Sequence, residues 1–326
     1  MPELKASVTI ESNQNNKYIL TETGSGNYKM GPVNLDINQT YSLLVKTSNG
    51  KTYQSDYVPM KQTPPIDSVY YKDIDTTALQ FFVNAHDPQN NTHYYRWDYT
   101  ETWSYVSFIA GYYQYKNGVI SAIPDDSLYY TCYRTAPSTQ VFTASTTQLT
   151  QDVINEQPLG AVAAASEKIS IIYSIQVNQY AITREGLDYW TALKKNTEQL
   201  GSIFDAQPSQ NNGNIHCISN PSEPVIGFIS ASSISRKRIF VRYNDFPFRA
   251  PYYFPPPSPE DCTLGTLHLN PPGDFAIRAK TILARGDSVL VLYYDQLGYY
   301  TYAPKDCVDC RTKGGTNIRP SYFPLF

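Results

Sequence analysis

Short runs in which apolar and polar residues alternate predict β-strands along most of the chain. The clearest run covers residues 169–179. Its apolar face consists of Ile169, Ile171, Tyr173, Ile175 and Val177, and polar residues occupy most of the other face. Because side chains of a strand point alternately to opposite sides, this pattern predicts a long, half-buried strand. We expect it to be central to the second of the two domains that are predicted below.

A turn signal near the start predicts a hairpin. Ser48-Asn49-Gly50 separates two β-runs, 40–47 and 51–59. Asn-Gly favours such a turn because its residues readily adopt the positive φ angles that the turn needs. Residues 1–65 are therefore predicted to form a small β-sandwich. An immunoglobulin-like sandwich takes about 100 residues and seven strands, so we expect this one to be partial, with its opening strands missing.

Pro64-Pro65 interrupts the strand pattern and predicts a domain boundary. Residues 66–326 are then a larger β-rich domain, including strands at 225–231, 238–243 and 288–294. Runs at 79–84 and 94–99, joined by the polar loop 87–92, predict a second hairpin. A short helical turn is predicted at 150–155. Prolines concentrate at 251–259 in a C-terminal segment that also contains cysteines.

One prominent helix is predicted near 184–200. Leu187, Trp190, Leu193 and Leu200 form an apolar stripe at helical spacing. Thr183 is suited to cap the beginning of the helix, and Gly201 is suited to end it. The fold class is therefore mainly β with one prominent helix.

Composition supports the β-rich fold and excludes some functions. Tyrosine supplies 29 of 326 residues, whereas charged residues make up only 17%. Tyrosine suits half-buried β-surfaces, where the ring packs and the hydroxyl group stays wet. The net charge of −3 argues against a nucleic-acid partner, which normally requires a basic excess. No stretch approaches the roughly 20 apolar residues of a membrane-spanning helix.

The five cysteines leave several chemistries open. They are Cys132, Cys217, Cys262, Cys307 and Cys310. The last two have the spacing of a redox pair, and a zinc site could combine three of the cysteines with His216 or His268. The simpler interpretation is one or two structural disulfides of undetermined connectivity. A bond from Cys262 to Cys307 or Cys310 would stabilise the fold by roughly 4 kcal/mol.

Other candidate motifs are weak. The histidines show no metal-binding helical spacing, and no hydrolase motif occurs. The loop 87–92 offers oxygen ligands for calcium without the order of an EF-hand. The short basic run Arg236-Lys237-Arg238 is interpreted as a solvated turn. These patterns predict no catalytic residues, no metal and no cofactor.

An aromatic-rich segment at 94–115 is the candidate for ligand binding. Rings that alternate along a strand can form a flat platform for sugar rings or a groove for peptide side chains. The residues predicted to bind are Tyr95, Trp97, Tyr99 and Trp103. The alternative is that these rings are ordinary core of a β-rich domain.

Several ordered segments resemble a known family. They include Tyr94-Tyr95-Arg96-Trp97, Tyr173-Ser174-Ile175-Gln176-Val177, the stretch 201–209, Gly213-Asn214-Ile215-His216-Cys217, Val225-Ile226-Gly227-Phe228, Cys307-Val308-Asp309-Cys310-Arg311 and Gly314-Gly315-Thr316-Asn317-Ile318-Arg319-Pro320. Together they resemble the Bacteroidota family called domain of unknown function 4249.

The resemblance implies an outer-membrane or cell-surface lipoprotein, often encoded beside TonB-dependent transporters. It implies an N-terminal immunoglobulin-like domain, a larger β-rich domain and no known catalytic residues. Members carry a lipoprotein signal and a lipid-bearing cysteine before the position matching Ala6. We therefore expect the lipid anchor, the protein's only membrane contact, to be missing here. The implied oxidising envelope favours disulfides over metal or redox chemistry.

Together these arguments predict a non-enzymatic surface lipoprotein that acts as the binding or accessory component of a TonB-dependent transport system. Its expected partners are the transporter and a glycan or peptide ligand. The alternative is a structural or adhesive envelope protein that has protein partners and no small ligand.

Overall fold

The fold is described from a computed structural model of the chain. The structure describes residues 2–117, 119–125, 128–198, 213–245, 262–268, 272–283, 288–294 and 298–324. The proline cluster at 251–259 and the family-like stretch 201–209 lie outside these residues. The described chain is mainly β with several antiparallel sheets, as the sequence predicts.

The strands in chain order are β1 (Ser7–Ser12), β2 (Lys17–Gly24), β3 (Asn27–Lys29), β4 (Thr40–Lys46), β5 (Thr52–Ser55), β6 (Val58–Lys61), β7 (Ile66–Ile74), β8 (Ala78–His86), β9 (Tyr94–Val106), β10 (Tyr113–Lys116), β11 (Val119–Ala122), β12 (Thr131–Pro137), β13 (Phe142–Ser145), β14 (Val153–Ala163), β15 (Ile172–Ala181), β16 (Ile215–Cys217), β17 (Ala231–Ser232), β18 (Ile234–Arg242), β19 (Gly265–His268), β20 (Ser288–Tyr294) and β21 (Tyr299–Pro304). The α-helices are α1 (Arg184–Glu198), α2 (Pro272–Leu283) and α3 (Lys305–Val308). Short 3-10 turns cover, among others, Glu167–Ile169, Tyr243–Asp245 and Cys310–Lys313.

The first sheet is built mainly by the N-terminal strands. Its main order is β16-β5-β4-β1-β2-β3, and β6 joins β4 while β17 joins β6. The predicted hairpin is confirmed, since β4 pairs with β5 and Gly50 has a φ of 87°. Strands β16 and β17 come from beyond α1, so this sheet draws on residues on both sides of Pro64-Pro65. The domain boundary and the immunoglobulin-like assignment stay predictions.

Two further sheets pack face to face and form the main core. One has the order β12-β9-β15-β18 with β13 also on β9, and the other has the order β14-β8-β7. Phe81 and Val83 of the smaller sheet meet Tyr173 and Ile175 of the larger one in a single apolar cluster. The strand predicted at 169–179 is β15, and it is central because β9 and β18 pair with its two edges.

Three predicted elements are wrong, and the first is the strand at 225–231, where the described chain forms a strand only at Ala231–Ser232. The runs at 79–84 and 94–99 are strands but not a hairpin, because β8 and β9 belong to different sheets and the loop 87–92 crosses between them. Alternation sets the buried face of a strand without naming its partner. The helical turn predicted at 150–155 is instead the beginning of β14, which accommodates Pro158 through register shifts.

The predicted prominent helix is confirmed as α1, which begins at Arg184 and ends, within the described residues, at Glu198. Thr183 caps it, since its Oγ1 accepts a hydrogen bond from the Gly186 N–H group at 3.1 Å. The helix α2 was not predicted. Its first residue is Pro272, a position that tolerates proline because the missing N–H group would have no partner inside the helix. No helix among the described residues combines the length and apolar content needed to cross a membrane.

Two disulfides connect the C-terminal region to the rest of the chain. Cys262 bonds to Cys307, one of the pairings that the sequence left open, and Cys132 bonds to Cys310. Cys217 is a buried free thiol. The redox interpretation of 307–310 is wrong because the two cysteines bond to different partners, and the same bonds remove the thiolates that a zinc site would need.

Residues 310–324 contact both faces of the larger sheet. On the core side, the Tyr105 hydroxyl group donates to the Cys310 carbonyl oxygen at 2.9 Å. At the sheet edge, Tyr133 and Thr316 exchange two backbone hydrogen bonds. On the outer side, the fully buried Phe323 packs against Tyr133. The segment therefore covers an edge of β12 that would otherwise be unpaired there.

Candidate functional site

The four aromatic residues predicted to bind ligand do not form an exposed platform. Tyr95 and Trp97 are fully buried and stack at 5.5 Å, and Trp103 is only 5% exposed. Burial raises the pKa of the half-buried Tyr99 to about 12. All four residues lie on the core side of β9. Ligand binding by these four side chains gains no geometric support from this arrangement, which instead matches the alternative of ordinary core.

Polar partners hold Tyr95 and Trp97 in place, whereas the buried Nε1 atom of Trp103 has no hydrogen-bond partner among the described residues. The Trp97 indole N–H group donates to Gln179 Oε1 at 2.8 Å, and Gln179 Nε2 donates to the Pro64 carbonyl oxygen. The Tyr95 hydroxyl group donates to the buried Asp152 carboxylate at 2.7 Å. Buried polar groups that are satisfied in this way make a core specific, and they leave little capacity for a ligand.

The opposite side of the same sheet presents polar side chains in rows. Strand register places Arg96 beside Tyr180 and Ile234, then Asp98 beside Asn178 and Arg236, then Thr100 beside Gln176 and Arg238. These three rows, with Trp190 of α1 and Tyr322 at their borders, are here called the polar face. Strand spacings make it about 10 Å across the strands and about 13 Å along them.

Arg96 and Asp98 form one corner of the polar face. The Arg96 guanidinium group lies 4.5 Å from the Tyr180 ring centroid and 4.6 Å from that of Trp190. It also donates to Asp98 Oδ2 at 2.9 Å. Both charged side chains are partly exposed, at 21% for Arg96 and 30% for Asp98. The guanidinium group is thus fixed in orientation and remains accessible to solvent.

Arg238 forms the other corner and has only neutral partners. Its guanidinium group donates to Ser174 Oγ at 2.8 Å and to Gln176 Oε1 at 2.6 Å. The guanidinium carbon lies 3.8 Å from the ring centroid of Tyr322, which is 43% exposed. Burial lowers the pKa of Arg238, and Tyr322 alone opposes this effect. In the described part of the chain, no carboxylate forms an ion pair with this cation.

Asn178 lies between the two corners and keeps an unused acceptor. Its Nδ2 group donates to Asp98 Oδ1 at 2.7 Å. Its Oδ1 atom is buried and accepts no hydrogen bond from any described residue. Leaving a buried acceptor unmatched costs about 1–3 kcal/mol, so such an atom indicates a position where a donor can be bound.

Sequence analysis missed the polar face, although a signal existed. Arg96, Asp98 and Thr100 alternate with the aromatic residues of β9, and Gln176 and Asn178 alternate in the same way in β15. Interpretation of Arg236-Lys237-Arg238 as a solvated turn is wrong. These residues lie inside β18, which sends Arg236 and Arg238 to the polar face and Lys237 to the opposite side.

A separate cleft of about 400 Å³ lies between the first sheet and the loop 87–92. It is lined by Ile37, Met60, Lys61, Gln62, Thr63, Pro64, Pro65, Asp87, Pro88, Gln89, Asn91 and Thr92. Asp87, its carboxylate, accepts hydrogen bonds from the backbone N–H groups of Gln89, Asn91 and Thr92 at 2.9–3.0 Å. The carboxylate is thereby used to shape the loop. Across the described residues, no group of three His, Cys, Asp or Glu side chains could hold a metal ion.

Loss of the Asp87 carboxylate is expected to open this turn. Burial raises the pKa of Asp87, but its backbone hydrogen bonds outweigh burial and the pKa is lowered. Such a carboxyl group stabilises the fold at pH values above its pKa in the unfolded state, which is about 3.9. That stabilisation is lost as the pH falls through the lower pKa of the folded state. At pH 7 we expect Asp87→Ala to lower the free energy of unfolding by about 2 kcal/mol in urea titrations.

The pH dependence provides the control for Asp87. The difference between Asp87→Ala and the unchanged protein should shrink as the pH falls from about 4 towards the lowered pKa of the folded state, because below that pKa the carboxyl group is protonated in both states of the unchanged protein. Asp73→Ala, at an exposed carboxylate, should have little effect at either pH. A difference for Asp87→Ala that stays constant between pH 7 and pH 3 would contradict this account.

Comparison with known proteins yields one family. The family model described as domain of unknown function (DUF4249) matches residues 1–238. The match covers the first sheet, both sheets of the main core and the polar face as far as Arg238. No curated protein matches the chain.

Proposed function

The chain belongs to the domain of unknown function (DUF4249) family, and from this premise we propose that it is a non-enzymatic binding protein of the cell envelope. The polar face is the observation that carries the proposal. It combines oriented guanidinium groups, an unused buried acceptor and two bordering aromatic rings. Such convergent polar groups on a sheet suit recognition, because strand pairing fixes the backbone that positions them: β9 and β15 are paired on both sides, and β18 is paired with β15.

The arrangement of the titratable groups favours binding over catalysis. The carboxylate on the polar face, Asp98, already accepts from Arg96 and Asn178. Of the exposed histidines, His86 and His216 pair with Asp67 and Asp56 at other positions on the chain, and His268 contacts the Tyr299 ring. A general acid or base must lie within reach of a nucleophile or a polarised substrate atom, and neither pair lies on the polar face.

We further propose that the protein is an outer-membrane lipoprotein with an immunoglobulin-like N-terminal domain, and that it serves as accessory to a TonB-dependent transporter. The family resemblance in the sequence supports this placement. Two disulfides also suit an oxidising compartment outside the cytoplasm. In this role the polar face would hold a ligand before its transfer to the transporter.

Affinity purification from native membranes tests the proposed role. A tagged protein, expressed with its own N-terminal signal and extracted in mild detergent, is expected to recover a TonB-dependent transporter. The same tag on an unrelated outer-membrane lipoprotein provides the control. Recovery of the intact protein without a transporter would contradict the accessory role. Recovery of other envelope proteins alone would instead favour a structural or adhesive function.

A further inference from the structure

We infer that the polar face binds an acidic saccharide, whose carboxylate group is held by Arg238 and of which a hydroxyl group donates to Asn178. This inference deepens the proposed binding function and rests on it. The argument depends on the charge of the polar face, on its unused hydrogen-bonding atoms and on the kind of surface that presents them.

The charge of the polar face favours an anion. Its three rows contain three arginines, Arg96, Arg236 and Arg238, against the single carboxylate of Asp98. Arg96 uses that carboxylate, so two guanidinium charges remain without an acidic partner in these rows. An excess of two positive charges is unusual for a protein whose net charge is −3. Charge complementarity therefore selects a ligand that carries carboxylate groups.

Arg238 is the guanidinium group best prepared to receive a carboxylate. Bonds to Ser174 and Gln176 fix its plane, and stacking on Tyr322 shields one side of it from water. A planar guanidinium group binds a carboxylate through parallel hydrogen bonds, and a group that is already oriented loses less conformational entropy on binding. The exposed Arg236, two positions earlier on β18, adds charge beside it.

The unmatched hydrogen-bond acceptor of the polar face requires a ligand that also carries a hydrogen-bond donor. Asn178 Oδ1 is buried without a donor, and a carboxylate cannot supply one. A saccharide hydroxyl group can donate to Asn178 and accept from a neighbouring guanidinium group. Tyr322 is 43% exposed and lies beside Arg238, where its ring can pack against the apolar side of a sugar. An acidic sugar thus satisfies both the charged and the neutral groups.

The geometry favours a saccharide over an acidic peptide. An extended peptide gains most of its affinity by pairing with the backbone at a free sheet edge. The polar face is the broad side of strands β9, β15 and β18, not the outer edge of β18, which is the last strand of the sheet. Only side chains are presented there, and the two rows through Asn178 and Gln176 contain no large apolar side chain that would form a pocket for a peptide.

Calorimetric titration with oligogalacturonate tests this inference. We expect saturable binding to the unchanged protein, and no binding of the fully methyl-esterified oligomer, which has lost its charge. Arg238→Gln should weaken binding by about 10- to 100-fold, as expected for a charged hydrogen-bonded pair. Arg238→Lys should bind with intermediate affinity, because it keeps the charge but not the planar fork.

Arg134→Gln is the matched control. Arg134 is also an arginine beside aromatic rings on the same sheet, but it lies on the core side, near Trp103 and Tyr105. Its replacement should leave the affinity unchanged. Thermal unfolding of each variant confirms that the protein remains folded. Equal loss of binding in Arg134→Gln and Arg238→Gln would overturn the assignment.

Three further outcomes of the titrations would each overturn part or all of the inference. Equal affinity for the charged and esterified oligomers would overturn the role of the carboxylate. Equal, Arg238-dependent binding of polyglutamate would overturn the saccharide and identify an acidic peptide instead. Absence of binding to either acid would overturn the inference while leaving the membrane purification free to support or contradict the proposed accessory role.

Discussion

Replacement of both Cys132 and Cys310 by alanine is expected to lower the free energy of unfolding by about 5 kcal/mol. The two cysteines are 178 positions apart, and the chain-entropy relation gives that value for a loop of this length. Both residues are fully buried, so the bond also fixes residues 310–313 against the end of the core. Urea unfolding of the oxidised protein measures the effect.

Two comparisons separate the crosslink from the loss of a buried sulfur atom. Cys217→Ala removes a buried thiol that forms no disulfide and should cost about 1 kcal/mol. The pair Cys262→Ala and Cys307→Ala opens a bond spanning only 45 positions and should cost about 4 kcal/mol. An effect of the Cys132 and Cys310 pair no larger than that of Cys217→Ala would refute the crosslink account.

Trp97→Ala is expected to lower the free energy of unfolding by about 3–5 kcal/mol, the usual cost of truncating a buried aromatic side chain. The indole ring is fully buried and stacks on Tyr95. Its removal also leaves Gln179 Oε1 without its donor inside the core. Chemical denaturation followed by circular dichroism measures the change.

Trp97→Phe and Trp190→Ala are the matched controls for this position. Trp97→Phe keeps an aromatic ring and loses the hydrogen bond, so we expect a cost of about 1–3 kcal/mol. Trp190 is half-buried against Arg96, and Trp190→Ala should cost about 1 kcal/mol. If Trp97→Ala unfolded at the same urea concentration as the unchanged protein, the assignment of this ring to the core would be wrong.

Sequence periodicity predicts the strands of this protein better than their partners. Alternation correctly identified β15, and the Asn-Gly turn correctly identified the pairing of β4 with β5. The false hairpin at 79–99 shows the limit, because the same alternation suits strands that face each other across a core. Pairing of β16 with β5 could not be predicted locally, since about 160 residues of chain separate them.

Prediction of the site depended on which side of β9 was considered. The aromatic residues of β9 were predicted to bind a ligand because exposed rings often do so. In this strand, however, their side chains form part of the core. The polar residues between them form the polar face. Composition alone cannot assign the two sides, since that requires knowing that β14-β8-β7 covers one of them. The role of Tyr322 required the three-dimensional path of residues 310–324.

The segment 310–324 also determines when folding of the larger sheet can be completed during biosynthesis. Ribosomes release β9 and β12 long before this segment, which contributes Cys310 to the core side and Phe323 to the outer side. Part of each side of the nascent sheet therefore stays uncovered until residues 310–324 have emerged from the ribosome. A chain interrupted before Cys310 would keep an unpaired thiol at Cys132 and leave part of the core side of the sheet uncovered.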